Sequence, residues 1–217
     1  MSGFSVFDII GPKMTGPSSS HTAGACRLAN VARRIAGEAP KSAHFTLYGS
    51  FAQTGKGHGT DKALIAGTLN MLPDDPRICN AYDEAKLEGL AVSFSINEED
   101  LPYHPNTAKI ELTGKDGKTT QILGASIGGG NIKIEEINGL EVEITGDYPT
   151  LVIQYNDVPG MISVVTHVLA QNHINIAFMR VFRHGKGADA YMTIETDQPI
   201  SPQIRDLIVH LSDEITA

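Results

Sequence analysis

The sequence has no tryptophan and only two cysteines, Cys26 and Cys79, among its 217 residues. The two stand far apart, so there is neither a disulfide framework nor a CxxC metal or redox motif. Alone, the chain lacks the four thiolates of a structural zinc site or an iron–sulfur cluster. Basic residues are scarce as well: 17 Lys and Arg against 25 Asp and Glu leave a formal charge of −8 and a pI near 5.4. A nucleic-acid groove or an anionic-membrane surface needs the opposite balance, so no nucleic acid and no membrane is expected as partner. No apolar run approaches the roughly 18 residues of a membrane-spanning helix. The opening Met1-Ser2-Gly3-Phe4-Ser5 has neither the basic stretch nor the apolar core of a signal peptide. A reduced cytoplasm is the expected location.

Hydrophobic residues make up 41% of the chain and charged ones 19%, a mixture able to bury a core. The length suits one large domain or two modest ones. Of the 22 glycines, 19 precede Asp147, and a strand-like run from Leu140 to Thr145 meets the punctuator Gly146-Asp147-Tyr148-Pro149. This predicts domains at 1–146 and 147–217.

In the first domain, Ala25, Leu28, Ala29, Ala32, Ile35 and Ala36 repeat at helical spacing, and Gly37 closes the helix. A strand at His44–Tyr48 precedes a glycine-rich loop, then a helix from about Thr60 to Leu72. Asp75-Pro76 opens a third helix ending at Gly89. Strands are predicted at Ala91–Ile96, Ala108–Thr113, Lys118–Leu123, Asn131–Ile137 and Leu140–Thr145, with Asn138-Gly139 as a type I′ turn. The second domain reads β-α-β-β-α, with strands Thr150–Tyr155, Ile174–Arg183 and Ala188–Thr196. Its helices are Met161–Gln171 and Pro202–Leu211, the latter capped by Ser201. The fold class is thus mixed α/β (α+β), its second part ferredoxin-like.

Four segments could carry chemistry. Gly16-Pro17-Ser18-Ser19-Ser20-His21-Thr22 runs into the first helix, whose N-terminal N–H groups suit a carboxylate or phosphate. A cap needs one serine, and here three hydroxyls precede a histidine able to move a proton near neutral pH. Gly55-Lys56-Gly57-His58-Gly59-Thr60-Asp61 superficially suggests a phosphate loop, but it is not GxxxxGK[ST]. His104-Pro105-Asn106-Thr107 leads into a strand, with Pro105 holding His104 extended; on sequence alone an ordinary Pro-Asn turn explains it better. Ser126-Ile127-Gly128-Gly129-Gly130-Asn131 fits either a ligand-approaching bulge or a flexible turn. In the second domain Asn156-Asp157-Val158-Pro159-Gly160 opens a helix, which Pro-Gly turn chemistry alone accounts for, and Met161 reads as core.

Together these segments resemble one family. Ser5–Pro12, Gly16–Ala25, Gly49–Ala52, Gly57–Asp61, His104–Lys109 and Ser126–Gly130 look, in order, like the beta chain of the bacterial iron–sulfur-dependent L-serine dehydratase. The tail from about Pro149 resembles an ACT domain, with Asn156, Asp157, Pro159, Gly160 and Met161 as its regulatory ligand loop. The resemblance implies an allosteric-substrate-binding type of domain followed by the ACT domain, and the reaction L-serine to pyruvate and ammonia. It implies as partner an alpha subunit whose 4Fe-4S cluster binds the serine hydroxyl as a Lewis acid, not ligated by this chain's cysteines. Ser18, Ser19, Ser20, Thr22, Thr60, Asp61, His104, Asn106 and Thr107 would line the substrate pocket. His58 would transfer the proton, with His21 as runner-up. The ACT loop would serve regulation or the pairing of two copies of this chain. An ACT domain usually has a fourth strand after its second helix, and only Asp213–Ala217 follow Ser212. Two other readings are an amino-acid-sensing binding module without catalysis and a detached regulatory part of a phosphoglycerate dehydrogenase; no GxGxxG follows a strand to support a nicotinamide domain.

Overall fold

Alternating side chains build the first sheet. In the computed structural model, which describes residues 13–99, 101–146, 148–183, 185–212 and 215 and only the backbone of Lys56, one register row runs Phe94, Phe45, Ile110, Ile122, Ile137 across neighbouring strands. Phe45, Ile110 and Ile122 are fully buried, and the Phe45 and Phe94 rings stack with centroids 4.9 Å apart. The next residue along each strand points the other way: His44 meets Ser93 Oγ at 2.8 Å and Ser95 Oγ at 3.0 Å on the polar face. A one-residue slip would exchange these faces, so the apolar row fixes the register. The Ser5–Pro12 motif lies outside the described residues, as do Asp147 of the expected seam and Asp213, Glu214, Thr216 and Ala217.

The strands are β1 (Ser42–Leu47), β2 (Ala91–Ile96), β3 (Thr107–Thr113), β4 (Thr119–Gly128) and β5 (Asn131–Ile137), ordered β2-β1-β3-β4-β5. Only β1 and β2 are parallel. A parallel pair needs a crossover, here α2 (Gly49–His58), α3 (Thr60–Thr68), a 3₁₀ turn (Pro76–Asn80) and α4 (Ala81–Leu87). Helix α1 (Ala25–Ala36) is preceded by a π-helical turn, Ser19–Gly24, and packs on β4 and α3. At Gly67 of α3 the helices approach so closely that a Cβ would lie 2.1 Å from the carbonyl oxygen of Cys26 and 2.9 Å from Ala29 Cβ.

Three local expectations change. The glycine-rich loop at 49–59 is the helix α2, because buried Phe51 and a tertiary cap outweigh weak propensity. It ends where Gly59 turns left-handed at φ 72. The helix expected over 75–89 opens instead as the 3₁₀ turn, with Asp75 accepting from Arg77 N. Strand β4 runs on to Gly128, through register shifts at Leu123/Gly124 and Ser126/Gly128.

The chain divides into units Met1–Gly139 and Leu140–Ala217. Asn138 and Gly139 take φ 51 and 78, as a type I′ turn requires. The division precedes β6 (Leu140–Ile144), which lies against β8 and β9 and whose Glu143 pairs with Arg180. The second unit continues with β7 (Thr150–Asn156), α5 (Met161–Gln171), β8 (Ile176–Arg183), β9 (Asp189–Thr196) and α6 (Pro202–Val209). Its antiparallel sheet is ordered β7-β9-β8 and packs around Ile153, Val165, Leu169, Met192 and Ile194. Ser201 Oγ caps α6 by accepting from Ile204 N at 3.3 Å. Among the described residues the fourth ACT strand is reduced to one antiparallel bridge, Tyr155 with Ile215, whose buried side chain joins the core.

The Gly67→Ala variant should lose about 1–3 kcal/mol of stability through overpacking of α1 on α3. Urea unfolding checks this; wild-type stability would mean that the helices can separate freely at Gly67.

Candidate active site

The carboxyl ends of β1 and β4 and the amino ends of β3 and β5 meet at one end of the first sheet, and the candidate segments gather there. The Pro105 carbonyl, just before β3, accepts from Ser50 N at 2.7 Å and Phe51 N at 3.3 Å and so caps the start of α2. Gly49 permits this approach: its φ is 48, and a Cβ would lie 2.7 Å from Pro105 O. With its start fixed, α2 places Ser50, Thr54 and His58 at i, i+4, i+8 on one face.

His21 faces that stripe. Its Nε2 is 3.2 Å from Ser50 Oγ and 3.0 Å from Thr54 Oγ1, and its ring centroid is 4.9 Å from that of His58. Phe51 closes the other side, edge-on at 5.2 Å. Ser18 caps the π-helical turn by accepting from His21 N at 3.2 Å, and its Oγ is 3.5 Å from His21 Nδ1. π-helical turns concentrate at functional sites. His58 ends α2 exposed, its Nδ1 3.2 Å from the carbonyl oxygen of Thr54. Burial, then the neighbouring His58 charge, holds the His21 imidazolium below its ordinary range, against a backbone hydrogen bond with Ser50 that works the other way.

Other candidate residues are placed differently. Thr22 is buried, and its hydroxyl donates to the His58 carbonyl at 3.1 Å. Ser19 and Ser20 are half-buried in the π-helical turn. His104 is exposed with Nδ1 accepting from Asn106 N at 3.1 Å, while Asn106 Nδ2 donates to Ser126 O at 3.3 Å. Thr107 is buried and donates to His104 O at 2.7 Å. Asp61 turns to α4, where Tyr82 OH donates to Oδ2 at 2.9 Å. Thr60 Oγ1 and Ser126 Oγ are buried without a partner among the described residues. In the second unit Asp157 accepts from Arg183 at 2.8 Å, Gly160 begins α5 at φ 96, and Met161 is core; Asn156 ends β7 and Pro159 is exposed.

Ser50 and Thr54 were not among the residues singled out from the sequence. Their signal was the 50/54/58 spacing, hidden because the glycines at 55, 57 and 59 read as a loop.

Residues 4–137 match the family described as serine dehydratase beta chain, and residues 150–209 match the ACT domain. The chain belongs to the serine dehydratase beta chain family. It is 46% identical over 211 residues to the probable L-serine dehydratase beta chain of Bacillus subtilis (strain 168), covering 97% of this chain and 95% of that one. It is 40% identical over 217 residues to the L-serine dehydratase beta chain of Peptoniphilus asaccharolyticus, covering 100% and 98%. A D-3-phosphoglycerate dehydrogenase of Bacillus subtilis (strain 168) is 31% identical over 159 residues, 71% of this chain but 29% of that enzyme.

The cysteines of this family member do not form a cluster site. Cys26 is buried, its thiol pushed up to about 12 by desolvation and then by Asp75, and Cys79 is exposed on another element. Among the described residues no three His, Cys, Asp or Glu side chains gather as a metal site, and no helix is long and apolar enough to cross a membrane.

Two outcomes follow from this geometry. In the native chain one thiol, Cys79, should react with Ellman's reagent, and Cys26 only after unfolding; two fast thiols would contradict the buried placement. By NMR titration His21 should take up its proton below about pH 6.5, the ordinary imidazole value, and His58→Gln should move that uptake upward by removing the neighbouring charge.

Proposed function

We propose that this chain is the beta subunit of an L-serine ammonia-lyase, converting L-serine to pyruvate and ammonia together with an alpha subunit. What carries the reading is the side-by-side pair His21 and His58 at the end of the sheet, His21 held by the Ser50 and Thr54 hydroxyls and His58 by the Thr54 carbonyl, in a chain of this family. The first turn at Ser18–Thr22 offers N–H groups and serine hydroxyls to the substrate carboxylate. Asn106, two residues after exposed His104, borders the same end of the sheet; Thr22 and Thr107 bond nearby carbonyls, buried Thr60 begins α3, and Asp61 in its first turn accepts from Tyr82.

A lyase of this type removes the Cα proton and the β-hydroxyl as water; the enamine becomes an imine, and hydrolysis returns that water while releasing ammonia. His58, exposed at the end of α2 with its ring held by the Thr54 carbonyl, takes the Cα proton, and His21 beside it is the second candidate. We assign the 4Fe-4S cluster to the alpha subunit, since this chain's cysteines do not fit it. The ACT domain, with its Asn156–Met161 loop, is assigned to regulation or to pairing of two copies, and the complex to the cytoplasm.

One observation favours a second reading: the match to part of a phosphoglycerate dehydrogenase suits a sensing module without catalysis. A complex of this chain with its alpha subunit separates the two. A His58→Ala complex should lose about 10²–10⁴-fold in kcat, the usual share of a general base. Full kcat and KM in that complex would sink the proton-transfer role, and serine binding by the isolated chain with no turnover in any complex would favour the sensor.

A further inference from the structure

Thr54 touches both histidines, through different atoms, and its hydrogen bonds can be read for proton positions. A threonine hydroxyl has one proton to donate. Thr54 Oγ1 lies 2.8 Å from the carbonyl oxygen of Ser50, which can only accept, so that proton is committed there. At 3.0 Å from His21 Nε2, Thr54 Oγ1 then acts as acceptor, and Nε2 carries the proton. His21 Nδ1 is left with the lone pair, facing Ser18 Oγ at 3.5 Å. Ser18 Oγ already accepts from His21 N, and its own proton is available to point at Nδ1. On the other side the carbonyl oxygen of Thr54 lies 3.2 Å from His58 Nδ1. A carbonyl cannot donate, so His58 is protonated on Nδ1 and holds its lone pair on Nε2.

We infer that Thr54 is the positioning residue that sets opposite tautomers on the two histidines, Nε2–H on His21 through its hydroxyl and Nδ1–H on His58 through its carbonyl. The partner of one ring nitrogen decides which nitrogen accepts a proton. The proton-accepting atom of the pair is therefore His58 Nε2, at the exposed end of α2, with His21 Nδ1 turned back toward the serine loop. The spacing makes this work: Thr54 is one turn after Ser50, whose carbonyl takes its proton, and one turn before His58, whose ring its carbonyl holds. Ser50 Oγ, 3.2 Å from the same His21 Nε2, can accept or donate, so the assignment rests on Thr54. The catalytic meaning of the pattern rests on the dehydratase reading; the pattern itself does not.

The test separates the two. The full-length chain, labelled with ¹⁵N in its histidine rings and assigned through His21→Asn and His58→Asn, is examined by long-range ¹H–¹⁵N correlation at about pH 8, where imidazoles are neutral. The expected pattern is Nε2–H for His21 and Nδ1–H for His58. The isosteric Thr54→Val, with folding checked by thermal unfolding, should release His21 into a mixture of tautomers and leave His58 unchanged. Thr54→Ser should restore His21. Either Nδ1–H on His21 in the wild-type chain or an unchanged His21 pattern in Thr54→Val would overturn the inference. In the complex with the alpha subunit, Thr54→Val should lower kcat about tenfold, the size of one lost hydrogen bond, with KM within about twofold, and Thr54→Ser should recover it. Wild-type kcat in Thr54→Val would overturn the positioning role. The expected tautomers combined with full turnover of His58→Ala would instead count against the dehydratase role of the pair.

Discussion

The carbonyl of Pro105 ends a loop and begins a helix, because two N–H groups of α2, those of Ser50 and Phe51, converge on it. A helix of ten residues with three internal or terminal glycines has little stability of its own. Its start is supplied from outside by Pro105, its first turn is anchored by fully buried Phe51, and Gly59 stops it. Had α2 started one residue later, the 50/54/58 stripe would have rotated by about 100° and left His21 without its hydroxyl partners. The His104–Thr107 segment therefore matters to the histidines even though His104 touches neither: its backbone decides where they stand. The left-handed φ at Gly49 belongs to the same constraint, since the chain must leave β1 and pass under Pro105 within a single residue.

How much of this can be read from the sequence differs by element. The apolar periodicity of α1 and the alternation in β1, β3 and β5 are strong local signals, and the structure follows them. The β-α-β-β-α order of the second unit was equally legible, because Asp-Val-Pro-Gly and Ser-Pro mark its helix starts plainly. Helix α2 was not, because what makes it a helix is Pro105, more than forty residues away. Strand β4 was read as ending at Leu123 because Gly124 and Ser126 break the alternation, yet Ser126 N bonds to Asn106 O at 3.0 Å and keeps the strand paired. The histidines were legible as residues and not as a pair; their contact depends on the helix that composition concealed. Thr22 and Thr107 carry a role that residue type does not announce: their hydroxyls tie backbone together at this end of the sheet.

Electrostatics gives the histidine pair a direction. With ring centroids 4.9 Å apart, a proton on either ring disfavours one on the other. His21 is the more enclosed of the two, and burial is the leading reason that its charged form is disfavoured. A depressed folded value in a base means that the unfolded chain binds the proton more readily. The contribution of neutral His21 to stability is therefore present above about pH 6.5 and is lost as pH falls through the lower folded value. His21 thus works near neutrality as a fixed, uncharged ring that donates through Nε2, beside the exposed ring of His58. A charge on His58 would further disfavour the charged form of His21.

That coupling bears on what the first unit needs from elsewhere. On the proposed reading, the histidine pair, the turn at Ser18–Thr22 and its hydroxyls orient a carboxylate and take up a Cα proton, and the departing hydroxyl of a β-hydroxy amino acid is left to the partner subunit. The two cysteines do not change this: burial keeps Cys26 protonated, with its sulfur 3.5 Å from the carbonyl oxygen of Met71, and Cys79 lies in the 3₁₀ turn beyond α3. A second chain that brings an electrophile to the exposed Nε2 side of His58 would complete the chemistry, and the same exposure that leaves His58 open to solvent in this chain would give that partner its access.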